Sequence, residues 1–240
     1  MPPETSIDAY ASAVLLAAGS STRMGLGQHG ERKPFLKLAG RTLVEHAITT
    51  FSRAACVGQI VLVGHAEDLD AIQALLESTG NTTALCIAGG AERTDSVRLG
   101  FAKTHAESEV VLVHDVARPL VRPEQVDAVA SAARAQGGAL LATPVRDTIK
   151  MCSDGRAIST LDRSRLWAAQ TPQAFQRSTF ARVLEEARAM NQAATDDAAL
   201  YERYAGPVAL VEGGPENLKL TVPGDLALAE AVLSLRGVRS

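Results

Sequence analysis

The stretch from Ser12 to Leu36 holds the residues with the clearest capacity for chemistry. It begins with an apolar run from Ala13 to Ala18 that is too short to cross a membrane and is bounded by glycine, which predicts a buried strand. Small polar residues follow, then Arg23 and, after a glycine-rich segment, Lys33. Backbone N–H groups of small residues can approach phosphate oxygens, and the two cations would offset the phosphate charge. The stretch therefore predicts a nucleoside triphosphate site.

One other phosphate-binding pattern competes for these residues. The segment from Gly25 to Gly30 matches the G-x-G-x-x-G dinucleotide pattern, but that pattern requires its first glycine to end the strand and its last to open a helix. Gly25 lies well past the strand, and Pro34 follows the glycines closely. A phosphate loop of the G-x-x-x-x-G-K-[ST] type is absent, because proline follows Lys33. For the loop taken alone, a surface loop with solvated cations remains the alternative.

The composition limits the classes of function. With 240 residues, 46% hydrophobic content and no linker-like block, the chain is expected to form a single domain over residues 1–240. A net charge of −3 excludes a polycationic face, so neither a nucleic acid nor a membrane is expected as a partner. The three cysteines lack zinc-ligand spacing, and the N-terminus lacks a secretory signal pattern, so a reducing, cytoplasmic location is expected.

Short apolar runs alternate with amphipathic segments along most of the chain. Strands are predicted at 13–18, 59–64, 83–88, 109–114, 139–143 and 208–211, and helices at 41–53, 66–78, 93–103, 123–136, 178–190, from 195–197 to 206, and 223–235. Such alternation implies crossover connections and a sheet covered on both faces. The predicted fold is therefore α/β, a doubly wound, mainly parallel sheet.

Ligands of such sheets bind beyond the carboxyl ends of the strands. Three polar segments follow predicted strands: Ala17 to Gly19, residues 89–96 and residues 114–119. Each has an ordinary explanation as a turn or a helix start when taken alone. Their convergence on one edge of the sheet favours a binding site there.

The alternation ends after Pro144. Asp147 to Met151 and Ala157 to Leu161 flank an Asp-Gly pair, which is a strong signal for a β-hairpin. A two-stranded ribbon is marginally stable alone, so it must pack on its own domain or on another subunit.

These motifs, in this order, resemble one family over nearly the whole chain from Ala13 to Leu233. The matching segments are LAAGSSTRM, the K-P pair at Lys33, GGAERTDSV, VLVHDVARP, PVRDTIK, LDR, QTPQAF, TDD and NLKLT. They are similar to those of the 2-C-methyl-D-erythritol 4-phosphate cytidylyltransferases. Ser21 and Ala91 are two departures from the family pattern.

The resemblance implies a Rossmann-like nucleotidyltransferase fold and a transfer of the cytidylyl group from CTP to the polyol phosphate, with release of pyrophosphate. It further implies Mg²⁺ or another divalent cation as cofactor, and a homodimer in which residues 144–173 form an exchanged β-arm.

The same resemblance assigns roles to individual residues. The catalytic cations would be Arg23, Lys33, Arg163 and Lys219. CTP would be bound by Ala17, Ala18, Gly19, Ser21, Gly90, Arg93, Ser96, Asp115 and Ala117, and the acceptor by Thr148, Arg163, Thr171, Thr195 and Lys219. Asp115 is the candidate ligand for the metal or the ribose, with magnesium held mainly by the CTP phosphates.

Three alternatives stay open at this point. A ribitol 5-phosphate cytidylyltransferase would keep most of the triphosphate and cytosine motifs. A non-catalytic nucleotide-binding regulator would keep the fold, although the four cations argue against it. A dinucleotide-dependent oxidoreductase would need an acidic residue about 20 positions beyond its glycines, where this chain has a predicted helix.

Overall fold

The computed structural model describes residues 9–18, 32–78, 84–192 and 194–237. The strands in these ranges are β1 (Ala11–Leu16), β2 (Lys37–Leu38), β3 (Arg41–Thr42), β4 (Val57–Gly64), β5 (Ala84–Ala88), β6 (Val110–Asp115), β7 (Gly138–Pro144), β8 (Lys150–Ser153), β9 (Arg156–Thr160), β10 (Trp167–Gln176) and β11 (Ala209–Glu212). The helices are α1 (Leu43–Arg53), α2 (Leu69–Ser78), α3 (Arg93–Phe101), α4 (Pro123–Gln136), α5 (Arg177–Ala189), α6 (Asp197–Tyr204) and α7 (Gly224–Leu235).

Seven of these strands form one sheet, in the order β11-β7-β10-β6-β1-β4-β5. Strand β1 lies at its centre and pairs in parallel with β4 and with β6. Only β10, among the strands of this sheet, runs antiparallel to its neighbours β6 and β7. The prediction of a doubly wound, mainly parallel α/β fold is therefore confirmed.

Both faces of the sheet are buried along β1, β4, β6 and β7, which explains why these strands are largely apolar runs. Leu15, Leu62 and Leu112 belong to the cluster on one face, together with apolar residues of α1, α2, α4 and α7. Val14 and Val113 belong to the cluster on the other face, with residues of α5 and α6. The strand ends that carry polar residues are thereby fixed on a rigid support.

Strand β10 is the strand of the large sheet that the sequence patterns did not predict; the short strands β2 and β3 were not predicted either. The segment of β10 contains Pro172 and three glutamines, which hide any apolar alternation. Gln173 is nevertheless buried, because its amide nitrogen donates to Asp196 and its carbonyl accepts from the backbone N–H of Ala198. Side-chain hydrogen bonds thus replace apolar packing as the reason for its burial.

Other predicted elements are present with shifted ends. Helix α1 begins after Thr42, whose hydroxyl accepts from the backbone of Glu45 in the expected capping box. The predicted helix at 66–78 begins with a 3₁₀ turn, Ala66–Asp68, before α2. Strand β1 begins at Ala11, two residues before the apolar run. Ser12 can lie inside the sheet because its hydroxyl donates to Gln59.

The predicted hairpin is present as strands β8 and β9, which form a sheet of their own. Asp154 and Gly155 both have positive φ, 50° and 74°, as the two central residues of the tightest hairpin turns require. The strands accordingly stop at Ser153 and resume at Arg156. All nine residues of the two strands are exposed, including the apolar Met151 and Ile158.

Candidate active site

A cleft of about 440 Å³ opens at the carboxyl edge of the large sheet. Most of its lining residues lie at or just after the ends of β1, β4, β5 and β6, and the others come from the start of α1 and from two connecting segments. They are Leu16, Ala17, Ala18, Lys33, Pro34, Leu43, His65, Gly90, Ala91, Glu92, Arg93, Ser96, Asp115, Val116, Ala117 and Lys219. Ligands of doubly wound sheets bind at this edge. The three polar segments singled out in the sequence therefore meet in one place, as expected.

The segment after β5 has no room for a side chain at Gly89 or at Gly90. A Cβ on Gly90 would lie 2.3 Å from the Cβ of Asp95, and one on Gly89 would lie 2.7 Å from the hydroxyl of Ser96. The Gly90 N–H donates to that hydroxyl at 3.1 Å. Ser96 is buried at the start of α3, so its hydroxyl fixes the loop that forms this wall of the cleft.

Asp115, the last residue of β6, lies between two cations. Its Oδ2 is 2.6 Å from Lys219 Nζ, and its Oδ1 is 3.4 Å from Arg93 Nε. Burial by itself would raise the pKa of this carboxyl, but Arg93 and Lys219 outweigh burial and lower the pKa to about 2. Asp115 is therefore a carboxylate throughout the neutral range.

The guanidinium of Arg93 also reaches a second acid, Asp197, at 2.8 Å. Asp197 is the first residue of α6 and its side chain is 1% exposed. Burial raises the pKa of Asp197, although the charge of Arg93 acts in the opposite direction. Burial would lower the pKa of Arg93, but the two carboxylates raise it above its ordinary value. Arg93 is thus a permanent cation held between two acids.

The backbone of Asp115 is fixed from behind by buried side chains. The Asp115 N–H donates to the hydroxyl of Thr171, which is 3.0 Å from His114 Nδ1. His114 Nε2 lies 3.2 Å from the carbonyl oxygen of Arg118, which can only accept, so the proton is on Nε2. Burial lowers the pKa of His114 to about 4, which keeps the ring neutral. Thr171 is 4% exposed, and its hydroxyl thus supports Asp115 from inside the fold.

Lys219 lies on a segment that belongs to no strand. The Leu220 N–H donates to the Ala117 carbonyl at 2.8 Å, and the Arg118 guanidinium donates to the Asn217 carbonyl at 2.8 Å. The fully buried Asn217 amide donates to Gln170. These hydrogen bonds, rather than a sheet ladder, hold Lys219 beside Asp115.

Lys33 is the first residue of the 3₁₀ turn Lys33–Phe35, in which Pro34 is buried. Arg32, just before it, forms ion pairs with Glu67 and Asp68 beyond β4. These contacts tie the turn to the next strand end and leave Lys33 on the wall of the cleft.

The structure brings most of the predicted site residues together. The cleft includes Ala17, Ala18, Lys33, Gly90, Arg93, Ser96, Asp115, Ala117 and Lys219. Thr148, Arg163, Thr171 and Thr195 are not among its lining residues, and all of them except Thr171 are exposed. Gly19, Ser21 and Arg23 lie outside the described residues. The predicted roles of all these residues stay predictions.

Sequence reasoning missed two residues of this region, His65 and Asp197. His65 directly follows β4, so its place at a strand end was the available signal. Asp197 stood in the T-D-D segment, but no sequence pattern indicates that α6 packs its first residue against Arg93.

The described residues contain no group of three or more His, Cys, Asp or Glu side chains arranged to hold a metal ion. A search of the same residues for a helix long and apolar enough to cross a membrane finds none.

Comparison with known proteins identifies the family. The sequence profile of the 2-C-methyl-D-erythritol 4-phosphate cytidylyltransferases matches residues 11–235. The chain belongs to this family. A 2-C-methyl-D-erythritol 4-phosphate cytidylyltransferase from Pelotomaculum thermopropionicum is 41% identical over 228 residues, which cover 94% of each protein. One from Bacillus velezensis is 42% identical over 222 residues, which cover 92% of this chain and 94% of its own.

A solved structure of the same family has a similar fold. The crystal structure of 4-diphosphocytidyl-2C-methyl-D-erythritol synthase from Anaerococcus prevotii has a TM-score of 0.83 and 30% identity, covering 96% of this chain and 98% of its own. As a 2-C-methyl-D-erythritol 4-phosphate cytidylyltransferase, the chain is an enzyme that transfers a cytidylyl group to this polyol phosphate in isoprenoid biosynthesis. The relatives bear the methylerythritol phosphate name, which supports the main prediction over the ribitol alternative. Family membership likewise argues against the oxidoreductase and the silent regulator.

Proposed function

We propose that the cleft at the carboxyl edge of the sheet is where CTP and the polyol phosphate react. The observation that carries this proposal is the presence of Lys33, Asp115 and Lys219 around one cleft that is also lined by Gly90 and Ser96. The cations Lys33 and Lys219 suit phosphates, and the small residues Gly90 and Ser96 suit a flat base. The cleft therefore combines what both halves of CTP require.

The reaction joins two anions. An oxygen of the acceptor phosphate attacks the α-phosphorus of CTP, a new P–O bond forms, and the bond to pyrophosphate breaks. Negative charge builds on the equatorial oxygens, so preorganised cations supply most of the catalysis. A general base is unnecessary, because the attacking phosphate is already ionised near neutral pH.

Each cation has a distinct place in this scheme. Lys33, with Arg23 from outside the described residues, would stabilise charge on the triphosphate in the transition state. Lys219, held by Asp115, would face the incoming acceptor phosphate. Ala17, Ala18, Gly90 and Ser96 would contact cytosine, and Ala117 would lie at the ribose.

The cleft suits a divalent cation held chiefly by the substrate. Mg²⁺ sites commonly use one or two carboxylates together with substrate phosphates, and Asp115 offers one ionised carboxylate. When bound, Mg²⁺ would neutralise charge on the triphosphate oxygens. Asp115 would hold either this ion or the ribose hydroxyls.

The proposal extends to a homodimer that shares its sites. Arg163 follows the exposed hairpin of β8 and β9 and does not line the cleft of its own chain. The exposed Met151, Ile158 and Trp167 are apolar side chains that a second copy would cover. In this arrangement residues 144–173 would carry Arg163, and with it Thr148, to the neighbouring cleft.

A cytoplasmic location belongs to the same proposal. Cys56, Cys86 and Cys152 are all free thiols, as a reducing compartment would keep them. Burial raises the pKa of the Cys56 thiol, which makes it unreactive.

The direct test is a product assay with purified protein. With Mg²⁺, CTP and 2-C-methyl-D-erythritol 4-phosphate, we expect CDP-methylerythritol and one pyrophosphate per turnover, and much slower reaction with ATP, GTP or UTP. EDTA should stop the reaction and added Mg²⁺ should restore it. Faster formation of CDP-ribitol from ribitol 5-phosphate, or thermal stabilisation by NADH but not by CTP with Mg²⁺, would contradict the proposal.

A further inference from the structure

A charged side chain that no step above uses lies behind the cleft. Asp197 has a side chain that is 1% exposed, and it is not among the residues that line the cleft. Carboxylates are almost never fully buried unless they are paired. Its partner is Arg93, whose Nη2 lies 2.8 Å from Asp197 Oδ2. This ion pair joins the start of α6 to the start of α3.

Arg93 makes a longer contact on its other side. Both Nε and Nη2 of Arg93 lie 3.4 Å from Asp115 Oδ1. The shortest contact of this guanidinium with an acid is therefore the buried one, with Asp197. Because a guanidinium is planar and its donors are fixed in a fork, an acid that holds one of its nitrogens also sets the direction of the others. Nη2 is shared between the two acids, because it also lies 3.4 Å from Asp115 Oδ1, so the ion pair with Asp197 constrains where the guanidinium meets Asp115.

The contacts continue into the cleft. Asp115 Oδ2 is 2.6 Å from Lys219 Nζ, so acid and base alternate along Asp197, Arg93, Asp115 and Lys219. Side-chain exposure is 1% at Asp197 and 45% at Lys219. The series begins in the interior and ends where the acceptor phosphate is expected.

We propose that Asp197 is a positioning residue for the cytidylyl transfer: it orients Arg93 and, through Arg93, the carboxylate of Asp115 that holds Lys219. This inference rests on the proposed roles of Arg93, Asp115 and Lys219 in the cleft. Asp197 touches no substrate and acts only through Arg93.

The neighbouring Asp196 offers a matched comparison. It is also an acid at the start of α6, but its carboxylate accepts from the Ala199 N–H at 3.0 Å and from the Gln173 amide at 2.7 Å. It is the N-cap of the helix, and asparagine caps helices about as well as aspartate. Asp196→Asn keeps one acceptor oxygen for the Ala199 N–H and gives up the acceptor for the Gln173 amide, and Gln173 does not line the cleft. Capping is therefore already supplied by Asp196, and the charge of Asp197 serves Arg93.

The test is a double-mutant cycle on kcat/KM for CTP. Asp197→Asn keeps the shape of the side chain and removes its charge, and we expect a loss of about tenfold, whereas Asp196→Asn should stay within twofold of the wild type. In an Arg93→Gln background, Asp197→Asn should cause no further loss, because the residue through which it acts is already gone. A loss that multiplies with that of Arg93→Gln, or no loss from Asp197→Asn alone, would overturn the inference.

Two further measurements cover the remaining outcomes. The ¹⁵Nε–H NMR signal of Arg93, assigned by its absence in Arg93→Gln, should broaden or shift in Asp197→Asn but not in Asp196→Asn.

If Asp197→Asn does not fold, Asp197→Glu, which keeps the charge, should fold and retain more activity than Asp197→Ser; the reverse order would refute a role for the charge. If Arg93→Gln itself leaves kcat/KM unchanged, the proposed role of Arg93 fails. If Arg93→Gln lowers kcat/KM and Asp197→Asn leaves it unchanged, the proposed positioning role of Asp197 fails while the proposed role of Arg93 stands.

Discussion

Lys219 Nζ lies 2.6 Å from Asp115 Oδ2, although 104 residues separate the two in the chain. The lysine belongs to a segment without regular structure, and the aspartate ends a strand of the sheet. The Asp115 side chain is only 13% exposed and that of Lys219 is 45% exposed, so the loss of the lysine would leave a largely buried carboxylate with less compensating charge. This pair therefore links the rigid sheet to the cation expected to face the acceptor.

Asp115→Asn should lower kcat/KM for CTP by about 10²-fold, the size of effect that follows removal of one preorganised charge. The amide would leave Lys219 and Arg93 close together without the anion that separates them. Steady-state kinetics at saturating acceptor measures the loss. Glu109→Gln, which removes an exposed partner of Arg134, is the control and should leave kcat/KM unchanged. Equal activities of the two variants would refute the role of Asp115.

Lys33→Ala should lower kcat by about 10²–10³-fold while KM for CTP changes by less than tenfold. The reason is that charge on the triphosphate oxygens grows as pyrophosphate leaves, so Lys33 binds the transition state more tightly than the ground state. The check is a CTP titration at saturating acceptor. A raised KM with kcat intact would instead assign Lys33 to ground-state binding.

Gly90→Ala should weaken CTP binding and destabilise the protein by about 1–3 kcal/mol, the usual range for forcing an extra methyl group into a packed place. The new Cβ would lie 2.3 Å from Asp95 Cβ, so the loop or the start of α3 must move. Gly224→Ala is the matched control, because no atom lies within 4 Å of its added Cβ. Urea unfolding and the KM for CTP measure both effects. Equal free energies of unfolding and equal KM values for the two variants would show that the close contact at Gly90 does not matter for stability or for CTP binding.

Local patterns were sufficient for six of the seven strands of the large sheet and for most of the cleft. Continuous apolar runs identify strands that are buried on both faces, and the carboxyl-edge rule places Gly90, Ser96 and Asp115 together. The ion pairs of Arg93 could not be predicted, because they depend on how the fold brings the start of α3 to the end of β6 and to the first residue of α6. Strand β10 was missed for a different reason: Ala174 and Phe175 pack in the core, but the buried Gln170 and Gln173 beside them are satisfied by side-chain hydrogen bonds that no apolar pattern reveals.

His46 should make the protein less stable as the pH falls below about 6.5, the ordinary pKa of histidine. Burial lowers the pKa of His46 despite the carbonyl of Leu38, which Nε2 contacts at 2.8 Å, and Arg41 and Glu45 are the charged groups that influence it. The unfolded chain then binds more protons than the folded one between the unfolded and folded pKa values, so the free energy of unfolding falls as the pH drops through that window.

His46→Gln keeps a donor for the Leu38 carbonyl but cannot be protonated. The stability of the wild type relative to this variant should therefore decline between pH 7.5 and pH 5, as measured by urea unfolding at each pH. His105→Gln, at an exposed histidine, controls for the loss of a histidine as such. A constant difference between wild type and His46→Gln across this range would refute the prediction.

The proposed exchange of the β-arm makes two inactive variants able to rescue each other. If each site uses Lys33 of one chain and Arg163 of the neighbour, a mixed dimer of Lys33→Ala and Arg163→Ala contains one intact site. Random pairing of equal amounts gives half mixed dimers, so co-refolding should restore roughly a quarter of wild-type activity in a two-fold symmetric dimer. Lys33→Ala mixed with Lys219→Ala is the matched control and should restore nothing, because both residues line the same cleft. If mass spectrometry confirms mixed dimers and the Arg163→Ala mixture also stays inactive, Arg163 does not complete the neighbouring site, and the hairpin of β8 and β9 has another role.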